Sequence, residues 1–361
     1  MAEYIKGMEL CRRFFLEAAR PILDRDFPEL EYSAGLIGYG SDVLGYDDPV
    51  SRDHMWGPRF YMFLKKEELQ LKEKILDSFG KGLPYTFLGY SVNFSEPDMN
   101  DNGVQHPEFI TEGKVRPLIF IMSFEEFLIE QLGTGEIDNL SAADWLSFSE
   151  HRLLSILKGE FFHDGLKLEM IKEKLRYYPE VVKIYLAGSC WESIAQEQAF
   201  VRRTFDVGDD MGSRIITARI CERLMRLCFI YRESYAPYSK WFGRAFQDLE
   251  IDKELRDSLE TAIGTSDIHE REKSLIKAQL AVTELHNKSG MTEYVECRES
   301  SYFGRDIKVI YCDKISSACA EKLRETELEG VPLLGSMSQI GNLSVLSDEV
   351  GNYSIIKRLY E

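Results

Sequence analysis

The most constraining feature of this sequence is a change of hydrophobic period near residue 144. Before it, short apolar runs alternate with stretches rich in Gly, Pro, Asn and Asp. From about Asp144 to His286, apolar residues recur almost entirely at helical spacing. After Gly290, strand character returns at Ile307–Cys312, followed by a helical run from Ile315 to Glu327. Strands and helices kept in separate blocks predict an α+β fold rather than a repeated βαβ one. A chain of 361 residues holds about two domains. We expect a mixed-sheet α/β domain over residues 1–143, an all-helical domain over 144–290, and a short α/β tail over 291–361.

Within the first block, residues 8–25 read as a helix ended by Pro28. Tyr32–Tyr39 (YSAGLIGY) reads as a buried strand, Arg59–Leu64 (RFYMFL) as a second and Val115–Met122 as a third. Phe124–Leu132 looks helical. In the helical block, Ile215, Ile220, Leu224, Leu227 and Ile230 form one apolar stripe. Breaks are expected at Pro179, at Val207–Asp210 and at Ala236-Pro237.

Charge and cysteine usage narrow the function. Lys and Arg total 44 against 61 Asp and Glu, a net charge of −17. That argues against a general nucleic-acid binder, which needs a basic field to displace counterions. The seven cysteines include no CxxC pair, so a disulfide framework or zinc knuckle is not expected. Cys221 and Cys228, seven apart, mark one helix face. The charged N-terminus lacks an apolar signal core, and the longest apolar run, Leu118–Met122, is too short to span a bilayer. A cytoplasmic protein without a membrane segment is the expectation.

One segment carries chemistry. A small-residue strand runs into Gly40-Ser41, and Asp53 stands twelve positions later, before the aromatic strand at Arg59. Glycine lets a phosphate approach the backbone, and the N–H groups of a following turn can cradle it. A carboxylate at Asp53 could hold Mg²⁺ against a bound triphosphate. Gly-Ser closing one strand and an acid before the next resembles the nucleotidyltransferase superfamily, which includes DNA polymerase β and the aminoglycoside nucleotidyltransferases. The longer strings GYGSDVLGYDD, SRDHMWGPR, WLSFSEHRLLSILKGEFFHD, QEQAFVRRTFDVGDDMGSRI and YAPYSKWFGRAF, with His286-Asn287, resemble the family named domain of unknown function 4037.

The resemblance implies Mg²⁺-dependent transfer of a nucleoside monophosphate from an NTP to a hydroxyl of a small molecule or protein. Gly40 and Ser41 would hold the β- and γ-phosphates, and Asp53 the metal. Lys240 would neutralise the leaving pyrophosphate, with Arg214 and Arg244 as further cations and Glu222 as general base. Related transferases often build their sites across a homodimer. Two departures stand against ordinary catalysis. Position 55 is Met where the family pattern has a second Asp, and a thioether is a poor ligand for a hard ion. The strand at 115–122, VRPLIFIM, lacks the third acid. The alternative is a catalytically degenerate nucleotide-binding or protein-interaction module. His54, His163-Asp164 and His286-Asn287 read as structural.

Overall fold

A computed structural model of the chain describes every residue except 1–3, 52–54, 101–102, 342, 344–345 and 347–348. The fold is α+β: a four-stranded mixed sheet with its helices, and a largely helical remainder. The chain divides into two compact units. One comprises Met1–Asn139 and Arg152–Arg176, the other Leu140–His151 and Tyr177–Glu361.

The sheet unit opens with α1 (Gly7–Phe14), a π-helical turn (Phe15–Ala19) and α2 (Arg20–Asp26). Strand β1 (Tyr32–Leu36) then pairs antiparallel with β2 (Arg59–Leu64). After α3 (Lys72–Gly82) and a two-residue hairpin, β3 (Thr86–Phe87) and β4 (Tyr90–Ser91), strand β5 (Leu118–Met122) runs parallel to β2. Helix α4 (Phe124–Leu132) follows. Its capping box, Ser123 with Glu126, and left-handed Gly133 set both of its ends.

Every residue of β2 is buried, because both sheet faces are covered. Phe60, Met62 and Leu64 join Phe14, Phe15, Ile75 and Phe79 in one core. Tyr61 and Phe63 point the other way and pack on Phe124 and Phe127 of α4.

The helical run expected from residue 144 is interrupted. After α5 (Ala142–Ser147) and α6 (Glu150–Lys158), residues Glu160–Asp164 form β6, which pairs antiparallel with β1 and gives the order β5-β2-β1-β6. Gly35 makes the pairing feasible: a Cβ there would lie 2.2 Å from the Glu160 carbonyl oxygen. Asp164 fixes the strand's exit, accepting from Ser33 Oγ at 2.7 Å and from the Leu168 amide at 2.7 Å. That amide opens α7 (Leu168–Lys172).

In the second unit, α8 (Glu180–Glu197), α9 (Phe200–Asp206) and α10 (Asp210–Tyr231) pack together. They continue into α11 (Ser239–Asp248), α12 (Lys253–Gly264) and α13 (Ile268–Ser289). The buried stripe of α10 is Ile216, Ile220, Leu224 and Leu227 with Cys221 and Cys228, whereas Ile215 is 51% exposed. The expected tail strand shortens to β8 (Lys308–Val309), paired with β7 (Ser300–Ser301). Its helix, α14 (Asp313–Lys322), packs on α8 within this unit. Among the described residues all seven cysteines are unbridged, and no helix is long and apolar enough to cross a membrane.

Candidate functional site

The chain leaves β1 through a glycine-rich turn. Gly38 and Gly40 have φ of +97° and +123°, conformations that L side chains rarely adopt. A Cβ on Gly40 would meet Asp42 Oδ1 at 2.2 Å and Arg59 Nη2 at 2.7 Å. The turn therefore lies directly on a buried ion pair. Arg59 donates to both Asp42 oxygens at 2.5 and 2.9 Å, and to the Tyr39 carbonyl at 3.3 Å. Ser41 donates to the Ser51 carbonyl at 3.0 Å, and its own carbonyl accepts from the Tyr46 and Asp47 amides. Among the described residues, nothing accepts a hydrogen bond from the amides of Tyr39, Gly40, Ser41 and Asp42. Successive unpaired N–H groups of this kind form an anion-binding concavity.

The acids of this loop have internal tasks. Asp47 Oδ2 accepts from the Gly7 amide and the Tyr4 hydroxyl, both at 2.7 Å, and from Trp56 Nε1 at 3.3 Å. Its Oδ1 lies 3.4 Å from Lys6 Nζ. Burial works against ionising Asp47, yet the Gly7, Tyr4, Lys6 and Trp56 contacts hold its carboxyl below the usual range. Asp48 accepts from the Val50 and Ser51 amides.

Divalent metal chemistry needs several hard oxygen ligands held together. Among the described residues no group of three or more His, Cys, Asp or Glu side chains could hold a metal. Asp42 and Asp47 are committed as above, and β5 contributes no acid. Asp53 and His54 lie outside the described residues. Met55 has φ of +48°, and its Sδ accepts from the Tyr39 hydroxyl at 3.4 Å, so this position has a packing role. The described residues do not fit a two-ion centre.

The remaining expected site residues belong to the helical unit. Glu222, on α10, accepts two hydrogen bonds from Arg226, each 3.1 Å. Arg226 is buried, lies 5.1 Å from the centre of the Phe242 ring, and approaches Glu150 at 3.6 Å. Burial pushes the Glu150 carboxyl above its usual range despite Arg226 and the Ala236 amide. Glu222 and Arg226 line a cavity of about 250 Å³ with Phe242 and Ile263. Lys240 is exposed in the first turn of α11, its ammonium 4.9 Å from the Trp241 ring centre. Arg244 pairs with Asp248 at 3.7 Å. Arg214 donates to Asp210 at 2.8 Å, a carboxylate that also meets buried Arg271. The structure thus joins Glu222 to Arg226, while Arg214 and Arg244 have ion-pair partners on their own helices.

Residues 145–242 match the family described as Domain of unknown function (DUF4037). The DUF4037 stretch contains Glu150, Glu222, Arg226 and Lys240, and so supplies the whole Glu150–Arg226–Glu222 group. No curated protein matches the sequence. The chain is similar to a solved structure, a nucleotidyltransferase-like protein from Exiguobacterium sibiricum, at 11% identity and a TM-score of 0.31. The likeness covers 81% of this chain and 96% of that one.

Sequence reasoning missed Arg59, Glu150 and Arg226. A signal was present for the first, a lone Arg heading an otherwise apolar strand, since such a charge is buried only with a partner. Glu150 and Arg226 carried none, because an acid and a base on amphipathic helices usually face water.

Proposed function

We propose that this chain is a nucleotide-binding protein of nucleotidyltransferase-like build, with the Gly40–Ser41 turn as its phosphate seat. One observation carries the reading: the amides of Tyr39 to Asp42 find no acceptor among the described residues, on a turn opened by two positive-φ glycines. Phosphate oxygens would accept from those amides. The Asp42–Arg59 pair beneath keeps the floor near neutral, because each charge answers the other.

Transfer of a nucleoside monophosphate to a hydroxyl of a small molecule or protein is the catalytic extension of this reading. It requires acids beyond the described ones, Asp53 first among them. The engagement of Asp42 and Asp47, and the thioether at Met55, favour the binding-only form.

The test is the melting temperature with ATP, alone and with Mg²⁺ or Mn²⁺. A ligand that binds only the native state raises it by mass action. We expect a metal-independent rise that Ser41→Glu abolishes, since a carboxylate would face the phosphates. No shift with any nucleotide overturns the proposal. Metal-dependent pyrophosphate release overturns its binding-only form.

A further inference from the structure

Helix α10 carries an apolar row on its outer side. Met211, Ile215 and Ala218 are exposed, Met211 at 75%. With Glu222 and Met225 they recur at intervals of four, three, four and three residues, which is one face of a helix. Toward the C-terminal end this face is hollow. Ala218, Glu222 and Met225 line the cavity of about 250 Å³ with Phe242 of α11 and with Ile263 of α12, itself 49% exposed. The row thus has a protruding methionine at one end and a largely apolar hollow at the other.

Symmetry relates the two ends. Met211 and Met225 stand seven residues either side of Ala218, about 10 Å along the helix axis in each direction. Seven residues fall only about 20° short of two full turns, so the three share a face. A half-turn about an axis through Ala218, perpendicular to α10, carries Met211 of a second copy over the hollow at Met225, and the reverse. The same rotation sets Arg214 of each copy opposite Glu222 of the other. Their present bonds leave atoms for this. Glu222 receives both Arg226 bonds on Oε1, and Arg214 holds Asp210 through Nε. Alanine at the crossing lets the two backbones approach closely. A second copy of this chain brings knob, hollow, cation and anion into register in one operation.

We propose that α10 is a self-association surface, two copies pairing antiparallel about Ala218 with each Met211 seated in the other's cavity. The unbranched methionine side chain adapts to an irregular hollow. Such an interface uses the same patch on both copies and closes at two. This assignment is independent of nucleotide binding at Gly40–Ser41.

Sedimentation equilibrium of the full-length chain tests it, and a reversible dimer in the micromolar range is expected. Met211→Glu should raise the dissociation constant at least about tenfold, because each copy loses a buried methionine. Met211→Leu should keep it within about threefold. Glutamate in the first turn suits the helix, so the far-UV spectrum of Met211→Glu should match that of the unaltered chain. Ala218→Cys reads the register. A residue on the two-fold axis faces its own counterpart, so mild oxidation should cross-link this variant and not the unaltered chain. A chain that stays monomeric up to about 0.1 mM overturns the proposal. So does a dimer whose dissociation constant Met211→Glu leaves unchanged, or one in which Ala218→Cys forms no cross-link.

Discussion

Arg59 holds the Asp42 carboxylate through two hydrogen bonds, 2.5 and 2.9 Å long, directly behind the glycine that turns the chain out of β1. Both side chains are almost wholly buried. The pair is therefore part of the floor of the candidate phosphate seat rather than a reserve of charge for chemistry. Removing one partner strands the other without solvent.

Asp42→Asn should cost about 3–5 kcal/mol, because Arg59 would keep its charge without a counterion. Asp42→Asn combined with Arg59→Met should recover much of that loss, since no charge then remains buried. Urea unfolding of these two variants and of the unaltered chain checks this. A single-variant loss below about 1 kcal/mol would show the pair to be weakly coupled.

His286 gives a pH dependence of known sign. It is fully buried between the Tyr231 hydroxyl at 3.0 Å and the Thr292 hydroxyl at 2.8 Å. Burial pushes its pKa down from 6.5 to about 4. Between these values the unfolded chain binds the proton and the folded chain does not, so stability rises with pH. The contribution is complete above pH 6.5 and is lost as pH falls through about 4. Its full size is roughly 3 kcal/mol. The urea midpoint measured against pH should fall across this window, and His286→Gln should flatten that part of the curve. An unchanged slope in His286→Gln would refute the assignment.

Thiol labelling should be sparse. Burial pushes Cys11, Cys221, Cys228 and Cys319 up to about 12 and Cys190 to about 11. Cys312 lies well above its ordinary value for the same reason. The thiolate is the reactive form, so the half-buried Cys297 should react first in the native chain. An Ellman titration should show one fast thiol that Cys297→Ser removes, and seven in denaturant. Two or more fast thiols would contradict the buried packing.

Much of the sheet unit was legible in the sequence because its signals are local. The aromatic alternation of Arg59–Leu64 marks β2 to the residue. Phe124–Leu132 is delimited by its own capping box and terminal glycine. The Gly40–Ser41 turn announced itself through residues that tolerate positive φ. What escaped depended on distant partners. Glu160–Asp164 (EFFHD) follows a helix directly, and only the absent side chain of Gly35 admits it to the sheet. Val115–Met122 lost its first residues to Pro117, which cannot donate to a ladder. In the candidate site, Asp42 was one acid among several until Arg59 singled it out. Glu222 was identified for a role at its own carboxylate, and the structure has it holding Arg226.

The placement of β6 bears on how the protein can be divided. A fragment ending at residue 143 would lose the outer strand beside β1 and leave a row of unpaired amides and carbonyls along it. Such a bare strand is a template for aggregation. A fragment carried through Arg176 keeps that margin covered. The sheet unit is thus discontinuous in sequence, and any truncation meant to isolate the Gly40–Ser41 turn must carry the chain that returns after α5.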